Sequence, residues 1–168
     1  MPALKLSDLQ TSEKPDWCPG CGDFGILMAV KKALIALNYP LDEVVIVTGI
    51  GCSGKLNHFV NTYGFEGIHG RALPLATGLH LANHKLKVLA VGGDGDGYGI
   101  GMAHFMHVMR RNLDLTYIVH NNQIYGLTNG QYSPTTEKGM KSSSSPFGAL
   151  EMAVNPMKLA LASDGISF

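Results

Sequence analysis

Two glycine clusters in this chain carry residues able to do chemistry together, "GGDGDG" at 92–97 and "HNNQIYG" at 120–126. Each ends a hydrophobic run. Asp94 and Asn122 are separated by the length of one helix and one strand, so in a parallel sheet their side chains would stand at adjacent strand ends. A carboxylate, an amide oxygen and a backbone carbonyl such as that of Ile124 make three hard oxygen ligands. Such a set suits magnesium and leaves room in an octahedron for two diphosphate oxygens and a water. The plainer use of Asp94 and Asn122 is as helix-cap and turn residues.

A third cluster, in "VVIVTGIGCSGKL" (44–56), has Gly49-x-x-x-x-Gly54-Lys55 after a β-branched run. That is P-loop spacing, but Leu56 stands where a hydroxyl should hold magnesium, which argues against a nucleotide triphosphatase. "GGDGDG" also lacks the register of a dinucleotide fingerprint. Read as a calcium loop, it has Phe105 where a bidentate Glu belongs. Cys18-x-x-Cys21 is a short chelate open to zinc, a redox disulfide or an iron–sulfur cluster, and taken alone it favours zinc. Cys52 adds a third thiol in the glycine loop. His104 and His107 share a helix face but are interleaved with Met102, Phe105, Met106 and Met109, the pattern of a packed helix with a polar edge and gap-filling methionines.

These residues need elements to position them, and the sequence supplies strands and helices in alternation. Residues 24–38 carry apolar side chains at helical spacing, ending near Pro40; 44–49 reads as a buried strand. A helix is expected at 72–84, a strand at 87–93, a helix at 99–112 and a strand at 115–121. Short connections between alternating elements predict an α/β fold, a parallel sheet with helices on both faces and the ligand site at the carboxyl ends of the strands. Residues 1–16 read as a polar N-terminal arm, 132–146 as a long functional loop, and 155–165 as a helix with a strand just starting after it. The expectation is one domain over 1–168, truncated or split at its C-terminus.

The 168 residues are 45% hydrophobic, enough for a core, and 13 basic and 13 acidic side chains cancel, so no basic patch argues for nucleic acid or anionic lipid. No segment approaches the ~18 unbroken apolar residues of a membrane span. A cytoplasmic location is expected. The odd, sparse cysteines fit metal or redox use in a reducing compartment better than a disulfide framework.

"GDG" followed after a helix and a strand by "NN" is similar to the thiamine-diphosphate-binding motif. With "WCPGCGDFG", "GIGCSGK", "HGRALPLATG" and "NNQIYGLTNGQYSPTT", the chain from Trp17 to Thr136 resembles the β subunit of 2-oxoacid:ferredoxin oxidoreductases. The resemblance implies oxidative decarboxylation of pyruvate or 2-oxoglutarate to acyl-CoA and carbon dioxide, with electrons passed through a 4Fe-4S cluster to ferredoxin. It implies that Asp94, Asn122 and the Ile124 carbonyl hold magnesium, and that Gly95, Asp96, Gly126 and Leu127 line the diphosphate. Ile50, Gly51, Cys52, Ser53 and His69 would contact thiamine diphosphate from the other side, with Lys55 a positive charge near substrate or cofactor. Lys55 and His69 are thus the expected catalytic residues, although His69 is also readable as a hydrogen-bonded structural histidine. Cys18, Cys21 and Cys52 would hold the cluster, with a fourth cysteine after Phe168. The carboxylate that activates the cofactor would come from a partner α subunit in a heterodimer or heterotetramer, leaving this chain inactive alone. Competing readings are a thiamine-diphosphate decarboxylase or synthase without electron transfer, a zinc-binding module, and a P-loop protein.

Overall fold

A computed structural model describes residues 3–163. Four strands, β1 (Val44–Thr48), β2 (Tyr63–Glu66), β3 (Lys87–Gly93) and β4 (Thr116–His120), form one parallel sheet in the order β2-β1-β3-β4. The expected α/β architecture is present. All five residues of β1 are buried, as a strand covered on both faces requires. Val44 and Ile46 pack on one side with Leu27, Val30 and Leu34 of helix α1 (Asp23–Leu37). Val45 and Val47 pack on the other with Leu73 and Ala76 of α2 (Ala72–Ala82) and Phe105 and Val108 of α3 (Met102–Arg111). Alternation of side chains along β1 therefore divides the core into two layers. Met102, Met106 and Met109 fill in around the second layer; His104 is half-buried and His107 exposed.

Element ends differ from expectation where local polar chemistry intervenes. Helix α1 ends at Leu37 because Asn38 adopts a left-handed conformation (φ 49) whose N–H caps the Leu34 carbonyl. Helix α2 ends at Ala82, since Asn83 is extended. Helix α3 begins at Met102, not at 99: residues 96–100 form a wide π turn in which Gly99 leaves helical geometry (φ −88, ψ −108). Strand β2 and a small antiparallel hairpin, β5 (Ile124–Tyr125) with β6 (Gln131–Tyr132), were not foreseen. They are short: β2 alternates Tyr63 and Phe65 over only four residues, all exposed, and β5 and β6 have two residues each, so periodicity gave no usable signal for them. Near the C-terminus α4 (Pro156–Leu161) is capped by the Asn155 side chain on the Lys158 N–H; the expected helix end at Gly165 and the strand after it lie outside the described residues.

The N-terminal arm is docked on the body. A 3₁₀ turn at Leu6–Leu9 buries Leu9 completely in the first core layer. The Leu4 N–H donates to Asn38 Oδ1 (2.8 Å) and the Asn61 N–H to the Leu9 carbonyl (3.2 Å). No described helix is long and apolar enough to cross a membrane.

Leu56 lies within another 3₁₀ segment (Ser53–Phe59) and is fully buried in the core layer that includes Trp17, Ile46 and Phe59. Packing accounts for this residue, where a P-loop would place a metal-binding hydroxyl. Leu56→Ser, which restores the P-loop pattern, is expected to cost about 3–5 kcal/mol from a lost leucine side chain and a buried hydroxyl. Urea unfolding measures the loss, and calorimetric titration with ATP or GTP should give no binding.

Candidate functional site at the carboxyl ends of the strands

Strand register sets the site. Gly93 of β3 is opposite His120 of β4, so Asp94 and Asn121 leave the sheet side by side, with Asn122 next. Asp94 is buried (1% exposed) and its Oδ2 accepts from Ser133 Oγ at 2.5 Å and Thr135 Oγ1 at 2.6 Å. Thr135 Oγ1 is also 2.9 Å from Asn121 Oδ1. The loop after β6, within the long functional loop expected at 132–146, is thus folded over the strand ends: Ser133, Thr135 and Thr136 are buried. Both hydroxyls use Oδ2, so neither occupies Oδ1.

The segment from Asn121 to Ile124 is tightly wound. Asn122 Oδ1 accepts from the Ile124 N–H (3.1 Å) and Asn121 Oδ1 from the Gln123 N–H (3.2 Å). Gln123 is held at φ 64, a left-handed conformation uncommon for a residue with a side chain, and Thr136 Oγ1 bonds its carbonyl. Such a conformation persists where the surroundings over-determine it, as is frequent at ligand clamps. A Cβ at Gly126 would lie 3.2 Å from Asn122 Nδ2 and 3.8 Å from Cys52 Sγ. Gly126, Asn122 and Cys52 therefore face one another, joining two of the glycine clusters.

Asp96 organises the other side. It is buried (2% exposed), and its Oδ1 accepts from the Gly70 N–H (2.7 Å) and the Ile50 N–H (3.0 Å). His69 Nδ1 is 3.0 Å from the same oxygen, at charge-pair distance but off the line that a hydrogen bond needs. Space for this carboxylate comes from missing side chains: a Cβ at Gly49 would come within 2.0 Å of Oδ2, and one at Gly92 within 2.9 Å. Asp96 thereby pins the loops at 49–52 and 69–71 to the "GDGD" segment. Its side chain is turned into this clamp, so any contact of Asp96 with a diphosphate falls to its backbone. Gly95 admits the Tyr125 ring, whose hydroxyl donates to the Gly95 carbonyl (3.0 Å). Ile50 and Leu127 are exposed on the rim, and Ser53 is buried with its Oγ 3.3 Å from where a Gly93 Cβ would be. Gly51, at φ 125, has open space at its Cβ position.

The cysteine motif lies against the same loop. The Cys21 N–H donates to the Cys18 carbonyl (3.0 Å), closing a turn, and Trp17 Nε1 donates to the Cys52 carbonyl (2.8 Å). The Trp17 ring is wedged edge-on between Phe24 and Phe59. All three cysteines are free thiols. Burial pushes the Cys52 thiol up, with Asp23 and then Cys21 acting in the same direction. Among the described residues no three His, Cys, Asp or Glu side chains converge on a single ion. Lys55 points to the arm, with Nζ 2.8 Å from Asp16 Oδ2.

Residues 49–167 match the family described as thiamine pyrophosphate enzyme, C-terminal TPP binding domain. The chain is 53% identical over 163 residues to 2-oxoacid:ferredoxin oxidoreductase 1, subunit beta, of Aeropyrum pernix, covering 97% of this chain and 51% of that protein. Identity to 2-oxoglutarate oxidoreductase subunit KorB of Mycobacterium tuberculosis is 46%, over 95% and 43% of the two chains. The chain spans about half the length of these curated relatives. Among solved structures, the 2-oxoglutarate:ferredoxin oxidoreductase from Magnetococcus marinus, with 2-oxoglutarate, coenzyme A and succinyl-CoA bound, superposes with a TM-score of 0.94 at 41% identity, covering 97% of this chain and 56% of that one.

Proposed function

The chain belongs to the thiamine pyrophosphate enzymes, as a C-terminal TPP-binding domain, and from that premise we propose that it serves as the cofactor-binding β subunit of a 2-oxoacid:ferredoxin oxidoreductase. The reaction is oxidative decarboxylation of a 2-oxoacid, pyruvate or 2-oxoglutarate, to acyl-CoA and carbon dioxide. Ferredoxin receives the electrons, an α subunit is the partner, and the setting is cytoplasmic. The observation that carries this reading is the convergence of Asp94, Asn122, Gly126 and Cys52 at one set of strand ends.

The residues present fit the groups this reaction needs. Asp94 is buried with Oδ1 outside the Ser133 and Thr135 bonds, and the glycine at 126 leaves a hollow between Asn122 and Cys52. Asp94, Asn122 and the Ile124 carbonyl would hold magnesium, the hard oxygen set it prefers. Gly95, Asp96 through its backbone, Gly126 and Leu127 would line the diphosphate, and Ile50, Gly51, Cys52, Ser53 and His69 the remainder of the cofactor. Three free thiols on two loops bound together by Trp17 fit part of an iron–sulfur ligand set. Bound thiamine diphosphate supplies an electron sink for decarboxylation, and a 4Fe-4S cluster supplies one-electron transfer.

What the chain's own residues do is position and exclude. Ser133 and Thr135 fix the Asp94 carboxylate, Thr136 fixes the peptide that presents Ile124, and Asp96 holds the 49–52 loop and His69 in place. Lys55, paired with Asp16 here, would have to exchange that partner for a substrate carboxylate. The exchange is feasible because exposed ion pairs are weak.

Anaerobic purification of the protein with its partner subunit tests the reading. The expected preparation contains iron, acid-labile sulfide and thiamine diphosphate, and reduces ferredoxin in the presence of a 2-oxoacid and coenzyme A. A colourless preparation without iron or sulfide that still decarboxylates the 2-oxoacid would replace it with a decarboxylase. Stoichiometric zinc without thiamine diphosphate binding would remove it altogether.

A further inference from the structure

Asp23 and His120 form a buried pair that the proposed reaction does not use. Asp23 opens α1, two positions after Cys21, with its side chain turned inward; Asp23 Oδ1 is 2.8 Å from His120 Nδ1, and each residue is 8% exposed. The bond joins the cysteine loop to the last residue of β4, two positions before Asn122. His120 Nε2 is also buried and has no partner among the described residues. A solvated turn would not need this arrangement: a carboxylate withdrawn from water between the cysteine loop and the cofactor loop costs desolvation that one hydrogen bond offsets only in part.

We propose that the Asp23 carboxylate, anchored by His120, is a fixed negative charge that lowers the reduction potential of the cluster held by Cys18, Cys21 and Cys52. This rests on the functional reading above. A nearby negative charge in a poorly screened interior makes addition of an electron to a cluster less favourable, and net local charge is one of the quantities that set cluster potentials. Asp23 opens α1 two positions after Cys21, and Cys21 and Cys52 both pack against the core layer that α1 helps build, which sets the buried carboxylate beside the ligand set. The cation on the Cys52 loop, Lys55, is held 2.8 Å from Asp16 and is part-exposed, so its charge is countered and better screened.

The test is an EPR-monitored redox titration of the anaerobically purified holoenzyme. Asp23→Asn keeps an oxygen for the His120 N–H and removes the charge, so the cluster midpoint potential should move to a more positive value. His120→Gln keeps the charge and should leave the potential nearer the wild-type value. If Asp23→Asn alone fails to fold, Asp23→Asn combined with His120→Gln carries the same charge change in a pair of amides that can bond each other, and the same positive shift is expected. An unmoved potential in whichever neutral variant folds overturns the proposal, as does an equal shift in His120→Gln, which would make the effect one of packing. A wild-type holoenzyme without an iron–sulfur signal overturns the functional reading itself, and this proposal with it.

Discussion

Asp94→Ala should weaken binding of thiamine diphosphate with magnesium by more than the ~10–100-fold that loss of a second-layer partner of a metal site typically costs. Two losses combine. The variant lacks the only carboxylate among the three expected metal ligands, and it takes the carboxylate acceptor from the buried hydroxyls of Ser133 and Thr135, of which Thr135 still has Asn121 Oδ1 at 2.9 Å. A buried hydroxyl left without its acceptor costs about 1–3 kcal/mol, so the thermal midpoint should fall as well. Thr135→Val separates the two effects: it keeps the carboxylate and removes one donor that fixes it, and is expected to fall within the ~10–100-fold range with little loss of stability. Calorimetric titration with thiamine diphosphate at saturating magnesium, alongside thermal unfolding, reads both variants. Unchanged cofactor affinity in Asp94→Ala would sink the metal assignment.

Three strands of the sheet were legible as apolar runs, most clearly β1, which is buried on both faces; β2, exposed at all four residues, was not. The same rule placed Asp94 and Asn122 at neighbouring strand ends, and the register of Gly93 with His120 bears that out. The shared neighbourhood of Cys52 and the cysteine motif was implied only by the family resemblance; the structure joins the two loops through the Trp17 bond to the Cys52 carbonyl. What holds these residues in place was not readable. Ser133, Thr135 and Thr136 lie in a Ser- and Thr-rich stretch that composition assigns to a functional loop without saying what its hydroxyls bind. Only the return of the chain over the strand ends turns them into donors for Asp94 and for the Gln123 carbonyl.

Asp96 shows the same gap more sharply. Its neighbours in sequence are glycines, which suggests a carboxylate beside a phosphate site, but its Oδ1 accepts from the backbone N–H groups of Ile50 and Gly70. Hydrogen bonds to residues this remote in sequence leave no local pattern. Two sequence features could have hinted at them: Gly49 and Gly92, whose missing side chains make the hollow that the carboxylate fills. Asp23 and His120, 97 positions apart, left no such trace.

That hollow yields the second large effect. Asp96→Ala strips the acceptor from two backbone N–H groups and opens a small void, for an expected loss of about 3–5 kcal/mol at roughly 1–3 kcal/mol per orphaned group. The loops carrying Ile50 and His69 lose their common anchor, so cofactor affinity should fall with stability. Gly49→Ala attacks the same contact from the other side, because its methyl would come within 2.0 Å of Asp96 Oδ2, and overpacking of this kind costs about 1–3 kcal/mol or more. If the carboxylate and the absent side chain are complementary, the two substitutions cannot be additive: the void left by Asp96→Ala accommodates the methyl. The double variant should then be less destabilised than the sum of the singles by on the order of 1 kcal/mol or more, within the range measured for residues in contact. Denaturant unfolding of the four members of the cycle decides it, and strict additivity would show that Asp96 does not fill the space Gly49 leaves.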